Sequence, residues 1–273
     1  MKDSYSIGIM QGRLSNKTGQ PLQSFPWGSW KEEFKRASSI GFNKIEWLVD
    51  GNSDGQNPIA SPSGQKEILR LSDKYDISVN SLCAHSLIDG NLLHDNILNV
   101  NNAKHKFLKI LSWATEISID FVILPIMDAM SIQDDIAKEK LKKMLCEVVT
   151  EGHPTVLLES DLPAQQLKSF IDDVGLDNLG VLYDLGNATA MGFNIESELG
   201  ILHKYIKEVH IKDRYKNNGC SASLGNADTQ FKAAIKTLKD SSWQGSFILE
   251  TPIFDDWKAE ACSNYNFTYN LVN

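Results

Sequence analysis

Short runs of Ile, Val, Leu and Phe punctuate the chain, and each is followed by a longer stretch whose apolar residues recur every three or four positions. The runs are YSIGIM (5–10), FNKIEWL (42–48), ISVNSLCA (77–84), DFVILPI (120–126), PTVLLES (154–160), LGVLYDL (179–185), IKEVHIK (206–212) and SFILE (246–250). Several are apolar at nearly every position instead of alternating, as parallel strands covered by helices are. Between them, SWKEEFKRASSIG predicts a helix that begins after Ser29 and stops at Gly41. NNAKHKFLKILSWATEI places Phe107, Leu108, Leu111 and Ala114 on one stripe, and SIQDDIAKEKLKKMLCEVV does the same with Ile132, Ile136, Leu141, Met144, Leu145 and Val148. A third such helix, TQFKAAIKTLKDSS, carries Phe231, Ala234, Ile235 and Leu238. Eight strands alternating with helices over roughly 250 residues predict an α/β fold, a single (β/α)8 TIM barrel spanning residues 1–273. The competing doubly wound sheet lacks support, because no G-x-G-x-x-G follows the first strand. NPIASPSG (57–64) reads as a long connector, with a lid as its functional alternative.

Composition narrows the partners. With 42% hydrophobic and 23% charged residues, the 273-residue chain has ordinary globular character. Its net charge of −8 argues against a nucleic-acid partner, which needs a basic face. No apolar run approaches the ~20 residues of a membrane span, and the N-terminal stretch lacks a signal peptide's apolar core. A cytoplasmic protein acting on a small molecule is expected, with neither membrane nor nucleic acid as partner. The four cysteines are scattered without a C-x-x-C pair, which argues against a disulfide framework or a zinc–thiolate site. Cys83 and Cys146 lie in apolar surroundings and are expected in the core.

Barrel chemistry sits at the C-terminal ends of the strands. Those ends carry, in order, Gln11 and Arg13, Glu46, His85, Asp128, Glu159, Asp184 with Asn187, His210 with Lys212, and Glu250. A buried carboxylate is costly unless it is paired, hydrogen-bonded or bound to a cation. Glu159, Asp184, His210 and Glu250 end four successive strands, and three carboxylates with one imidazole suit a divalent ion of the Mn, Mg or Co kind, or Zn. Each has a plainer reading: Glu159 as a cap for the helix near LPAQQ, Asp184 as a brace for the Gly186 turn, His210 as an ordinary half-buried histidine. Arg13, Lys212 and Arg214 are candidates for receiving an anionic group of a substrate; alternatively Lys212 and Arg214 pair with Asp213 and Glu208. Trp27, Trp30 and Trp47 are candidates for walling the site.

The segments GIMQGRL, KIEWLVD, LLESDLP, YDLGNA, VHIKDR and ILETP, in this order and spacing, resemble the xylose isomerase-like TIM-barrel family, which includes sugar-phosphate isomerases and ketose 3-epimerases. The resemblance spans about the whole chain. It implies one divalent metal ion held by Glu159, Asp184, His210 and Glu250, and a carbohydrate substrate whose proton is removed by one of Glu159 and Glu250 through an enediolate and returned by the other on the opposite face. It further implies that Glu46 helps hold a substrate hydroxyl or an adjacent side chain, a surface acid beside Trp47 being the alternative, that Asn187 stands at a substrate-contacting position, and that a homodimer is possible, since family members often form dimers. His85, just past the third strand, is a candidate substrate contact, with a plain loop histidine as the alternative. The sequence departs from the family in carrying Asn187 where many members have His, and in a shortened stretch SLGNADTQF within 221–231. Dehydration of a cyclitol or keto acid by the same metal site, and a non-catalytic sugar-binding barrel, stay open as alternatives. The family's endonuclease branch needs more strand-end histidines than this chain has.

Overall fold

The computed structural model describes residues 5–16, 21–51, 55–89, 91–254 and 256–273. All eight apolar runs are strands: β1 (Ser6–Met10), β2 (Lys44–Leu48), β3 (Ser78–Cys83), β4 (Phe121–Ile126), β5 (Thr155–Ser160), β6 (Leu179–Asp184), β7 (Ile206–Ile211) and, after the two-residue antiparallel pair β8 (Asp213–Arg214) and β9 (Ser221–Ala222), β10 (Ser246–Leu249). The eight long strands are parallel and close into a barrel, with β10 pairing β1 from Ser6 opposite Ser246 to Ile9 opposite Leu249. Helices α1 (Trp30–Ile40), α2 (Pro62–Tyr75), α3 (Ile97–Glu116), α4 (Asp135–Val148), α5 (Ala164–Val174), α6 (Leu185–Ala190), α7 (Ile195–Leu202), α8 (Phe231–Asp240) and α9 (Trp257–Val272) follow the strands. None is long and apolar enough to cross a membrane.

The two-residue period of a strand sorts every barrel residue inward or outward. Ile9, Ile45, Trp47, Val122, Leu158, Val181, Val209 and Phe247 point outward into one large core shared with the helices. Inward, Met10, Leu48, Cys83 and Ile248 form one cluster, and Ile123, Leu157 and Leu182 a second. The same parity stacks Glu159 above Leu157, Asp184 above Leu182, His210 above Glu208 and Glu250 above Ile248. Polar residues at these strand ends are thereby directed to the axis.

Four local expectations change. NPIASPSG is neither connector nor lid: Asn57 accepts from Trp47 Nε1 (2.9 Å) and Ile59 N (3.2 Å) and donates to Leu48 O (3.0 Å), starting the 3₁₀ turn Pro58–Ala60 and then α2. Three hydrogen bonds from one buried amide turn a loop-like composition into packed structure. Cys146 is exposed although Cys83 is buried, because Met144, Leu145 and Val148 take the inner face of α4. Ile136 and Leu108 likewise fall outside the buried stripes, at 66% and 41% exposure. The tryptophans pack instead of walling the mouth: Trp30 meets fully buried Trp47 edge-on at 5.6 Å, and Trp27 stands edge-on to Phe25 at 4.8 Å. At Gly41, the left-handed φ of +118° and the closeness of the Tyr265 ring require glycine after α1.

Candidate metal centre

Glu159, Asp184, His210 and Glu250 converge at the mouth of the barrel, each offering one ligand atom, all within 4.8 Å of one another. Three of the four are no more than 5% exposed, and Glu159 is 7% exposed. The plainer reading of Asp184 is true for one of its oxygens. Oδ1 caps α6 by accepting from Asn187 N at 2.7 Å, while buried Oδ2 has no hydrogen-bond partner. Lys212 Nζ, 3.5 Å away, is the cation nearest to that oxygen, and a buried carboxylate oxygen without a hydrogen bond has room for a second. His210 presents Nδ1 to Glu250 Oε2 (3.1 Å) and Asp184 Oδ2 (3.8 Å), and Nε2 to Glu46 Oε2 (3.1 Å). Glu46 is wholly buried and set to accept a hydrogen bond from Nε2, which leaves Nδ1 facing the carboxylates of Glu250 and Asp184. These donors, hard oxygens with one imidazole, fit a divalent ion.

Cations and amides surround the acids. Lys212 Nζ lies 3.0 Å from Glu250 Oε2 and 3.5 Å from Asp184 Oδ2, so it pairs with these two carboxylates and not with Asp213 or Glu208. Asn187 donates to Glu159 Oε1 at 3.0 Å and accepts from Arg214 Nη1 at 2.8 Å, tying the carboxylate to the arginine through one amide. Arg13 is 1% exposed and donates to Leu22 O (2.6 Å) and Gln23 Oε1 (2.7 Å), with Glu250 Oε1 3.7 Å away. Gln23 in turn donates to Glu250 Oε1.

Burial and charge separate the two glutamates. Burial, then the Glu250 charge, pushes Glu159 up to about 8. Burial also acts to raise Glu250, but Lys212, His210 and Arg13 outweigh it and hold its carboxyl well below the usual range. For His210, burial acts against the charged form and is overcome by Glu46 and Glu250, so the imidazole is held well above its ordinary value. Lys212 is raised for the same reason: Glu250, Asp184 and Glu159 exceed the opposing effect of burial. Beneath His210, burial and then Glu46 lift Glu208 well above the carboxylate range.

A cavity of about 550 Å³ opens over this floor. Of the residues that the sequence points to as substrate contacts, His85, Asn187, Lys212 and Arg214 line it alongside Glu159 and Glu250. Glu46 lies below the floor against His210, and Arg13 lies behind it, reaching the site through Gln23 and Glu250. Burial lowers the imidazole of His85. Asp128 and Asp161 line the same cavity. Asp128 takes a left-handed φ of +52°, unusual for a residue other than glycine. Sequence reasoning missed Gln23, because nothing in the loop after β1 signals that it reaches Glu250, 227 positions later. It also missed the use of Asp213, whose carboxylate collects four backbone N–H groups of the following loop.

The fold has counterparts. The family described as xylose isomerase-like TIM barrel matches residues 34–267. A xylose isomerase domain protein from Planctomyces limnophilus superposes with a TM-score of 0.74 at 16% identity, covering 98% of this chain and 97% of that one. D-psicose 3-epimerase from Clostridium cellulolyticum H10, solved with D-tagatose, gives 0.74 at 14% identity over 98% and 99%. A xylose isomerase-like TIM barrel protein from Mycobacterium smegmatis, in complex with magnesium, gives 0.69 at 16% identity over 98% and 96%. At such identities the likeness is one of fold. No curated protein matches the sequence. With the closed barrel, the strand-end cluster and a family match over most of its length, this chain belongs to the xylose isomerase-like TIM-barrel family.

Proposed function

We propose that the protein is a divalent-metal-dependent isomerase or epimerase of sugars, moving a proton on carbon through an enediolate with Glu159 and Glu250 as the proton-transferring groups. The observation that carries this reading is the convergence of Glu159, Asp184, His210 and Glu250 within 4.8 Å. A bound divalent ion would supply Lewis-acid polarisation of a ketose carbonyl and countercharge for the developing oxyanion. Asp184 and His210 would hold that ion without exchanging protons, Asp184 fixed by its cap to α6 and His210 by Glu46. Asn187 aims Glu159, and Lys212 with Gln23 holds Glu250. Two carboxyls in such different surroundings suit an exchange in which one gives a proton and the other takes one. His85 and Arg214, on the cavity wall, are placed to meet substrate hydroxyls. The Planctomyces, Clostridium and Mycobacterium structures support the sugar reading by their fold.

Metal content by elemental mass spectrometry tests the centre first, on wild type beside His210→Ala and Glu250→Gln. Near-stoichiometric Mn, Mg, Co or Zn is expected in the wild type and its loss in the His210 variant. Solvent deuterium uptake by ketoses, followed by NMR, then tests the chemistry. A wild type that neither carries nor takes up a divalent ion refutes the proposal.

A further inference from the structure

One cation on the cavity wall has no part in the charge balance of the floor. Arg214 stands two residues beyond Lys212 and lines the same cavity, half-buried. Its guanidinium donates from Nε to Gly219 O (3.1 Å) and from Nη1 to Asn187 Oδ1 (2.8 Å), both uncharged acceptors. Two of its five N–H donors thus hold the group in place, and three stay open. No carboxylate of the described residues pairs with it. Lys212, by contrast, is paired with Glu250 and Asp184, and Arg13 lies behind the floor against Gln23 and Glu250. A half-buried charge without a counter-ion carries a desolvation cost that a bound anion offsets.

The chain fixes this arginine before any ligand arrives. Arg214 lies in the antiparallel pair β8–β9 with Ser221 directly opposite, so the two side chains share a face. The hairpin between them turns through Asn217 and Asn218 at left-handed φ of +58° and +56°, and Asn218 N is tied to Ala190 O at 2.8 Å. The loop that follows hangs on the Asp213 carboxylate. Ser221 and Asn218 also line the cavity, adding a hydroxyl and an amide as neutral donors. Donors held in place beforehand lose little freedom on binding.

The charge on offer selects the anion. The planar fork of a guanidinium matches a carboxylate, one charge against one. A phosphate monoester brings about −1.5 to −2 at neutral pH. Asp128 and Asp161, from the ends of β4 and β5, line the same cavity and oppose that second negative charge.

Resting on the isomerase reading, we propose that the substrate is a keto sugar acid, its carboxylate received by Arg214 and its carbonyl end directed to Glu159, Asp184, His210 and Glu250. Asn187 joins the two ends: the amide that accepts from Arg214 donates to Glu159 Oε1 at 3.0 Å, so the arginine stands one side chain away from the glutamate. Hydroxyls alone would use the N–H groups of Arg214 and leave its charge unbalanced.

The test titrates metal-loaded wild type by calorimetry with D-fructose and D-tagatose, with their terminal carboxylates and with their terminal phosphates. The carboxylate is expected to bind about 10- to 100-fold more tightly than the parent ketose, the span of a charge-assisted hydrogen bond. Arg214→Gln, which keeps neutral donors, should bring the carboxylate down to the level of the parent ketose. Arg214→Lys, which keeps the charge without the fork, should retain part of the preference. A preference that survives in Arg214→Gln, a parent ketose or a phosphate bound as tightly as the carboxylate, or binding of none of the three overturns the inference. Should Arg214→Gln not fold, the wild-type ranking and Arg214→Lys decide alone. Solvent deuterium exchange separates the two readings: Arg214-dependent binding of the carboxylate, with no exchange into any of the sugars, defeats the isomerase reading and leaves the anion site standing.

Discussion

Replacing Asp213 by Ala removes one acceptor and strands four backbone donors. Hydrogen bonds to a charged group contribute about 1.5–3 kcal/mol each, so four would sum to roughly 6–12 kcal/mol if nothing relaxed. Relaxation is substantial here. Gly225 and Asn226 are exposed and their N–H groups can turn to water, whereas Thr229 is buried and Ala227 partly so. Counting only the two less accessible donors gives about 3–6 kcal/mol, and at ~2–4 °C per kcal/mol for a chain of this size, a fall in Tm of about 6–24 °C. Asp213→Asn keeps a carbonyl oxygen able to take the place of Oδ2 with its three N–H partners, and turns an NH₂ against Thr229 N; it should cost about 1–2 kcal/mol. Urea unfolding of the three proteins measures the ordering. Native-state hydrogen exchange locates it, with protection lost first at Gly225, Asn226, Ala227 and Thr229. An Ala variant within about 1 kcal/mol of wild type, with those amides still protected, would show that the carboxylate does not organise the loop.

Other perturbations reach different parts of the same machinery. Glu46→Ala frees Nε2 of His210 and should weaken divalent-ion affinity about 10–100-fold by calorimetry, while Glu46→Gln, which retains an acceptor, should lose less; equal affinity in all three would deny Glu46 its orienting part. Gly186→Ala places a Cβ 2.9 Å from Cβ, Cγ and O of Lys212, so it should cost about 1–3 kcal/mol and shift Lys212 off Glu250, read as lower Tm together with lower exchange activity; an unperturbed variant would contradict the tight approach. Glu208 has a pKa raised by burial and by Glu46, so its contribution to stability is complete below about pH 4.5 and is lost as pH climbs toward the folded-state value. Glu208→Gln should therefore be level with or more stable than wild type at pH 8 and relatively less stable near pH 4, with urea midpoints at the two pH values as the check; the reverse order would mean that Glu208 is ionised in the folded protein.

Much of this molecule could be read from the chain because strand chemistry is periodic. The eight runs reappear as eight strands, trimmed by a residue or two at their ends. Parity along those strands then assigned Glu159, Asp184, His210 and Glu250 to the axis, since each stands two residues beyond an apolar inward neighbour or, for His210, beyond Glu208. Local rules of this kind act over two to four positions and are written in composition itself.

What folding alone decided is who meets whom across long separations. Gln23 reaches Glu250 across 227 positions and Glu46 reaches His210 across 164, and no local pattern encodes either approach. Lys212 stood beside Asp213 and Glu208 in the chain yet chose Glu250 and Asp184, because alternation sends Lys212 inward while Asp213 turns outward to the loop amides. Asn57 made packed structure of a segment whose Pro, Ser and Gly suggested a loop, since its three partners lie on Trp47, Leu48 and Ile59. The sequence by itself determined the barrel and the kinds of side chain at its mouth, because both follow from short-range periodicity. Their protonation and their partners were settled by barrel closure, which removes water from these charges together and leaves each to be stabilised by what the tertiary structure brings within a few ångströms.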